Sequence, residues 1–174
     1  MSPPVREGLD RLLLLLDLER IDRDLFRGPN PSDGRDRVYG GQVASQALRA
    51  AAATVDVAHR VNSLHSYFLR PGRPAMPIVY AVDRIRDGRA FTTRRVVAIQ
   101  DGEAIFNLEA SFHKDEPGGE FQHEFRLGWV PDPDEVPRTD QPGPHHRSID
   151  FREIEPPRPP STRVEWVRAD GPLP

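Results

Sequence analysis

The sequence predicts an α+β domain in which one helix of small residues lies against an antiparallel sheet. Three observations predict it. Tyr39-Gly40-Gly41 opens a run from Gln42 to Thr54 with no further Gly or Pro, in which Val43, Ala44, Ala47, Leu48 and Ala51 form an apolar stripe. Alanine enters a helix without side-chain entropy loss, and small side chains let another element's backbone approach closely. Four later segments alternate with a period of two, as half-buried strands do. Asp87-Gly88 and Asp101-Gly102 separate them, the chemistry of tight hairpin turns.

Taken in order, Arg6 to Ile21 is predicted as an N-terminal helix whose leucines give a docking face, with Pro3-Pro4 ahead of it as a loop. Asp24 to Gly34 is rich in Gly, Pro, Asn, Ser and Asp and reads as a connection. Arg35 to Tyr39 reads as a short strand before the central helix. The strands follow at Val61–Leu69, Ile78–Arg86, Ala90–Gln100 and Glu103–His113. In the first, Val61, Ser63, His65, Tyr67 and Leu69 fall on one face; in the last, Ala104, Phe106, Leu108, Ala110 and Phe112 face the core. Residues 1–113 are thus read as the N-terminal helix and first domain. Of the 19 prolines, 12 lie from Asp115 onward. Residues 114–160 are accordingly read as a Pro-rich arm with Phe121, Phe125, Leu127 and Trp129 as candidate anchors. Residues 161–174 contain Arg163-Val164-Glu165-Trp166-Val167-Arg168, the alternation of one more strand.

Composition excludes several function classes. The net charge of -3 and pI of about 6.1 give no drive toward nucleic acid or an anionic membrane. With no cysteine, disulfides, thiolate catalysis and Cys-ligated metals are ruled out. The run Leu12–Leu16 is too short to span a bilayer and lacks the flanks of a signal peptide, so the expected compartment is the cytoplasm. Lys114 is the only lysine, so 23 of the 24 basic residues are arginine. Arginine clusters therefore carry less functional weight than usual.

The motifs Val38-Tyr39-Gly40-Gly41-Gln42-Val43, Ser63-Leu64-His65-Ser66-Tyr67-Phe68-Leu69-Arg70-Pro71-Gly72, Arg86-Asp87-Gly88-Arg89-Ala90-Phe91, Arg94-Arg95-Val96 and Ala110-Ser111-Phe112 stand in a distinctive order. Over about residues 8 to 125 the chain resembles the amino-terminal half of the type II acyl-CoA thioesterases, the double hot-dog enzymes related to bacterial thioesterase II and the peroxisomal acyl-CoA thioesterases. Glu165-Trp166-Val167-Arg168-Ala169 is similar to the first strand of that family's second repeat. The resemblance implies a hot-dog fold, hydrolysis of fatty acyl-CoA to fatty acid and CoA, and no cofactor or metal. It also implies that an Asp, a Thr or Ser, and a Gln of the second repeat activate the water. No residue of this chain matches that trio. A non-catalytic acyl-CoA-binding module and a hot-dog hydratase are the alternatives.

The candidate catalytic residues in the present chain are Gln42 and His65. Gln42, at the helix start, can hold a water or the pantetheine amide, or act as a plain capping residue. His65 can serve as a general base or as a hydrogen-bonded structural histidine. The candidate substrate-binding residues are Gly40, Gly41, Arg70, Arg86 and Phe91. The glycines would offer unpaired N–H groups to a thioester oxygen, or simply allow close packing. Arg70, Arg73, Arg84, Arg86 and Arg89 would gather CoA phosphates, or line a solvated sheet edge. Phe91, with Phe68, Phe106 and Phe112, is either core or acyl-tunnel lining. His145-His146 has few neighbouring ligands and is a poor metal site. An isolated hot-dog exposes a sheet edge, so the expected partner is a second copy or a missing second repeat.

Overall fold

The computed structural model describes residues 8–30, 36–122, 129–139, 148–154 and 163–171. Pro3-Pro4, Gly34, Arg35, Phe125, Leu127 and His145-His146, singled out above, lie outside the described residues. The chain divides into two compact units, Leu15–Gly118 and Met1–Leu14 with Gly119–Pro174.

The larger unit is a six-stranded antiparallel sheet with one helix packed on it. Its strands are β1 (Glu19–Asp22), β2 (Leu25–Gly28), β3 (His59–Phe68), β4 (Ile78–Asp87), β5 (Phe91–Gln100) and β6 (Glu103–Lys114), in the order β1-β2-β4-β5-β6-β3. Helix α1 covers Leu9–Leu16 and α2 covers Gly40–Ala52. The core joins Val43, Ala47, Ala50 and Ala51 of α2 to Ile78, Tyr80, Val96, Ala98, Phe106, Leu108, Ala110 and Phe112 of the sheet. Three of those helix residues, Ala47, Ala50 and Ala51, have no exposed surface, so α2 sits with its backbone close to the strands.

Several expectations need correction. The N-terminal helix stops at Leu16 rather than Ile21, and Glu19–Gly28 forms the β1–β2 hairpin where helix and connection were expected. Pairing with β4 sets Phe26 opposite Tyr80 and buries it. That tertiary pairing outweighs the local helical preference of Leu18-Glu19-Arg20-Ile21. The short strand expected up to Tyr39 is absent from the described residues 36–39, which run irregularly into α2. The two Asp-Gly turns differ. Asp101 and Gly102 both have positive φ (51° and 75°), as the two-residue turn between β5 and β6 requires. Gly88 does not. There β4 and β5 are joined by three residues, and Gly88 donates to the Phe91 carbonyl at 2.9 Å. A Cβ on Gly88 would lie 2.6 Å from that same oxygen, so glycine is kept for close approach. In β3 the register shifts between Val61 and Ser63, which sets Val61 opposite Phe112. Val61 therefore joins Leu64 and Phe68 on the helix-side face rather than His65 and Tyr67.

The C-terminal end of α2 is held by arginine. Arg94, 1% exposed, donates from Nε to the Thr54 hydroxyl at 2.8 Å and from Nη2 to the Thr54 carbonyl at 3.0 Å. Its Nη1 reaches the carbonyls of Arg86 and Thr93, both at 3.0 Å, and Nη2 also pairs with Asp87. Arg84 donates to the Thr54 carbonyl at 3.2 Å and pairs with Asp24 at 2.9 Å. Two cations thus meet the negative end of the helix dipole. The Arg84 guanidinium holds the Asp24 carboxyl below its ordinary range, and partial burial acts the other way.

In the smaller unit, β7 (Ile149–Ile154) pairs antiparallel with β8 (Val164–Ala169), and a 3-10 turn covers Pro133–Glu135. β8 was expected as a strand. β7 falls in the segment read as a featureless arm, because its alternation places a charged residue, Asp150, at a buried position. Arg152 and Arg168 each reach Asp150 Oδ2 at 3.0 Å, and Arg152 also donates to the carbonyls of Pro133 and Val136. The Arg152 guanidinium first, then Arg168, keeps the Asp150 carboxyl below the ordinary 3.8 against the opposing effect of burial. A carboxylate with a lowered folded pKa contributes stability that is complete above the unfolded value and is lost as pH falls below it. Trp166 Nε1 donates to the Pro131 carbonyl, so tryptophan fluorescence reports on β8. The wild-type signal should change as pH falls below about 4. Asp150→Asn should be less stable at neutral pH and show a flatter acid profile. An unchanged profile would remove Asp150 as the acid-sensitive group.

Candidate functional site

A groove of about 370 Å³ opens at the start of α2, lined by Arg37, Val38, Gly40, Val43, Phe68, Leu69, Arg70, Pro71, Gly72, Ile105 and Phe106. Its floor is apolar, and the rings of Phe68 and Phe106 meet at 4.9 Å between centroids. Its volume falls at the lower end of small-molecule sites.

One wall is the β3–β4 connection, which is fixed by backbone and amide contacts. Leu69 and Arg70 donate to the Ile105 carbonyl at 2.9 and 3.1 Å, and Val38 donates to the Gly72 carbonyl at 2.9 Å. Gln100, 3% exposed, accepts from Arg73 N at 2.8 Å and donates to the carbonyls of Arg73 and Met76 at 2.9 and 2.8 Å. Asn30 donates to the same Met76 carbonyl and accepts from Gln42 Nε2 at 2.8 Å. The other wall is α2. Behind it, Gln46, with no exposed surface, donates to the carbonyls of Leu15 and Pro29 at 2.7 and 2.9 Å and accepts from the Tyr80 hydroxyl at 2.7 Å. Burial pushes the Tyr80 phenol far up, so it stays protonated and donates. Among the described residues no buried side-chain polar atom of this helix–hairpin junction is left without a partner, and the linked amides make its geometry stiff.

The sequence-predicted residues are distributed unevenly. Gly40 and Arg70 line the groove. α2 begins without a side-chain cap, and Gln42 and Val43 are the first to donate back, to the Tyr39 carbonyl. The glycines also have steric roles. A Cβ on Gly40 would lie 2.9 Å from the Phe68 ring, and one on Gly41 would lie 2.4 Å from the Tyr39 ring. Gln42 is 8% exposed and its amide is engaged by Pro29 and Asn30, so it braces the wall. Arg70 donates to the Ala104 carbonyl at 2.7 Å and faces Glu103 at 3.5 Å.

The other three lie elsewhere. His65 sits opposite Glu109 on the far face of the sheet, edge-on to Tyr67 at 4.7 Å, in a shallow polar cleft with Arg95 and Asn107. Arg86 and Phe91 stand at the β4–β5 turn. The pairings run Asp87–Thr92–Phe112–Val61 there and Tyr80–Ala98–Phe106–Phe68 beside the groove, so the two sets occupy opposite ends of the sheet. Phe91 stacks on His113 at 4.3 Å. Of the other arginines named, Arg73 pairs with Asp101 and Arg84 with Asp24.

Gln46, Gln100, Asn30 and Arg37 went unnoticed in the sequence. A signal for Gln46 was present: it follows Gln42 by four residues, one helical turn, inside a stripe of alanines. Among the described residues no group of three or more His, Asp or Glu is placed to hold a metal, and no helix is long and apolar enough to cross a membrane.

Residues 28–113, which hold α2, strands β3 to β5, nearly all of β6 and the whole groove, match the family described as the acyl-CoA thioesterase N-terminal domain. This segment belongs to that family. The chain is 44% identical over 122 residues to human acyl-coenzyme A thioesterase 8, an alignment that takes in 70% of this chain and 38% of that protein. The crystal structure of the acyl-CoA thioesterase II TesB2 from Mycobacterium marinum superposes with a TM-score of 0.76 at 38% identity, covering 92% of this chain and 60% of that one. A protein with hot dog fold from Alicyclobacillus acidocaldarius, 23% identical, gives a TM-score of 0.76 over 90% of this chain and 61% of its own. The fold is a hot-dog, and the chain matches the amino-terminal part of longer double hot-dog thioesterases. It spans 38% of the length of the human relative.

Proposed function

We propose that this chain supplies the amino-terminal repeat of an acyl-CoA thioesterase that hydrolyses fatty acyl-CoA to free fatty acid and CoA, in the cytoplasm. In this reading 1–113 is the first hot-dog with its N-terminal helix, 114–160 an arm, and 161–174 the opening of a second repeat. The composition of the groove carries the reading. Its lining offers an apolar floor, backbone N–H groups and two guanidiniums, but no carboxylate, hydroxyl or imidazole. Such a surface holds a thioester and leaves its hydrolysis to groups brought by another repeat.

The free edge of the sheet supports a partner. β3 is an edge strand exposed along almost its whole length, with Val61, Leu64, Tyr67 and Phe68 each 43–62% exposed. An apolar edge of that length is normally covered by another strand. We assign its cover to a second hot-dog repeat or a second copy of this chain. The hydratase alternative needs His65 in the groove, and His65 is on the far face.

The test is release of CoA thiol from decanoyl-CoA and palmitoyl-CoA by the purified 174-residue chain; without cysteine the protein gives no background with a thiol dye. Binding without turnover above the uncatalysed rate is expected. Turnover that falls on Gln42→Ala or His65→Ala would place the chemistry in this repeat and overturn the division of roles.

A further inference from the structure

The arginine bias of this chain makes most guanidiniums uninformative, but the pairing pattern separates them. Among the described residues Arg23, Arg27, Arg60, Arg70, Arg73, Arg84, Arg94, Arg95, Arg152, Arg163 and Arg168 all meet carboxylates within 4.0 Å. Arg20, Arg37, Arg49, Arg86 and Arg89 meet none among them, and of these five Arg37 is the one that lines the groove, where it makes no side-chain hydrogen bond among the described residues. Its sequence neighbour Asp36 makes no ion pair with it. Arg70, the second groove arginine, is partly neutralised by Glu103 and committed to the Ala104 carbonyl. The groove therefore has one end with an uncompensated, planar, bidentate donor beside an apolar floor of Val38, Val43, Phe68 and Ile105.

Resting on the thioester-binding reading above, we propose that Arg37 is the specificity-determining residue of this groove, selecting thioesters whose thiol carrier bears phosphate. A guanidinium without a carboxylate partner pairs with phosphate through two parallel N–H···O contacts and has no internal ion pair to break first. The apolar floor takes the acyl or pantetheine chain without regard to charge. Affinity for the carrier and affinity for the chain are then separable by one substitution.

The experiment is calorimetric titration of the full 174-residue chain with decanoyl-CoA and with S-decanoyl-pantetheine, which has the same thioester and no phosphate. Arg37→Glu should weaken decanoyl-CoA at least tenfold and leave decanoyl-pantetheine within twofold of wild type. Arg37→Lys should recover part of the loss, and wild-type binding of decanoyl-CoA should weaken with salt more steeply than binding by Arg37→Glu. Equal affinity of wild type and Arg37→Glu for decanoyl-CoA would overturn the role of Arg37 while leaving the groove reading intact. Binding of neither ligand by wild type would overturn the groove reading itself.

Discussion

An Arg94→Met chain should lose about 3 to 5 kcal/mol of stability, the range observed when a buried charged hydrogen-bonding group is removed from partners that stay behind. Methionine keeps the length and apolar stem of the side chain, so the packing of β5 against α2 changes little. What disappears is the guanidinium that serves the Thr54 hydroxyl and carbonyl and the carbonyls of Arg86 and Thr93. Those oxygens lie at the C-terminal end of α2 and at the β4–β5 turn, and no water replaces an arginine that is 1% exposed without opening the core. The neighbouring Arg95→Met is the control. Arg95 faces Asp83 at 3.6 Å with both side chains about half exposed, and such a pair contributes no more than about 0.5 kcal/mol. Urea unfolding should therefore separate the two variants widely. Coincident midpoints would show that Arg94 is no more than another surface guanidinium that happens to be covered.

Gly28→Ala should be nearly as damaging, at about 2 to 3 kcal/mol, although it adds one methyl group. Gly28 ends β2, and a Cβ there would lie 2.5 Å from Gln46 Oε1 and 2.8 Å from Tyr80 Cε2. Neither side chain has exposed surface into which it can retreat. The amide must rotate or β2 must withdraw from β4, and either motion breaks the Tyr80–Gln46 hydrogen bond. Tyr80→Phe, which deletes the donor without a clash, should cost about 1 to 2 kcal/mol by leaving the Gln46 carbonyl unpaired. Gly118→Ala has open space around it and should change stability by less than about 0.5 kcal/mol. If Gly28→Ala unfolds at the same denaturant concentration as Gly118→Ala, the junction is softer than its contacts indicate.

These two sites also mark where reading the sequence stops. The alternation of β4, β5 and β6, the alanine stripe of α2 and the Asp101-Gly102 turn are local patterns, and each appears in the structure within a residue or two of its expected place. The β1–β2 hairpin does not show locally, because Leu18 to Ile21 has helical preference and becomes strand only by pairing with β2, which is itself held in the sheet by β4. The Asp87-Gly88 pair has the composition of a tight turn, yet β5 starts three residues on and the glycine is needed for closeness rather than for positive φ. Of the site residues, Gly40 and Arg70 could be placed from motif and spacing. Arg86, Phe91 and His65 could not, since their distance from the groove depends on which strands neighbour which. Gln42 stands at the start of α2, as its motif indicates, but that its amide nitrogen donates to the Pro29 carbonyl and Asn30 Oδ1 depends on contacts thirteen and twelve residues away.

By itself the sequence determined the fold class, the family of residues 28–113, the exclusion of thiol chemistry and the position of the central helix. The fold class and the helix follow from local periodicity, the family from its resemblance in motifs between Val38 and Phe112, and the exclusion of thiol chemistry from the absence of cysteine. Only the tertiary structure decided which polar side chains are buried and what they hold, which arginine stands unpaired beside an apolar groove, and which strand is left as a free edge. Those outcomes depend on contacts between residues tens of positions apart, such as Gln46 with Tyr80 and Arg94 with Thr54, whose energy comes from desolvation that no local pattern encodes.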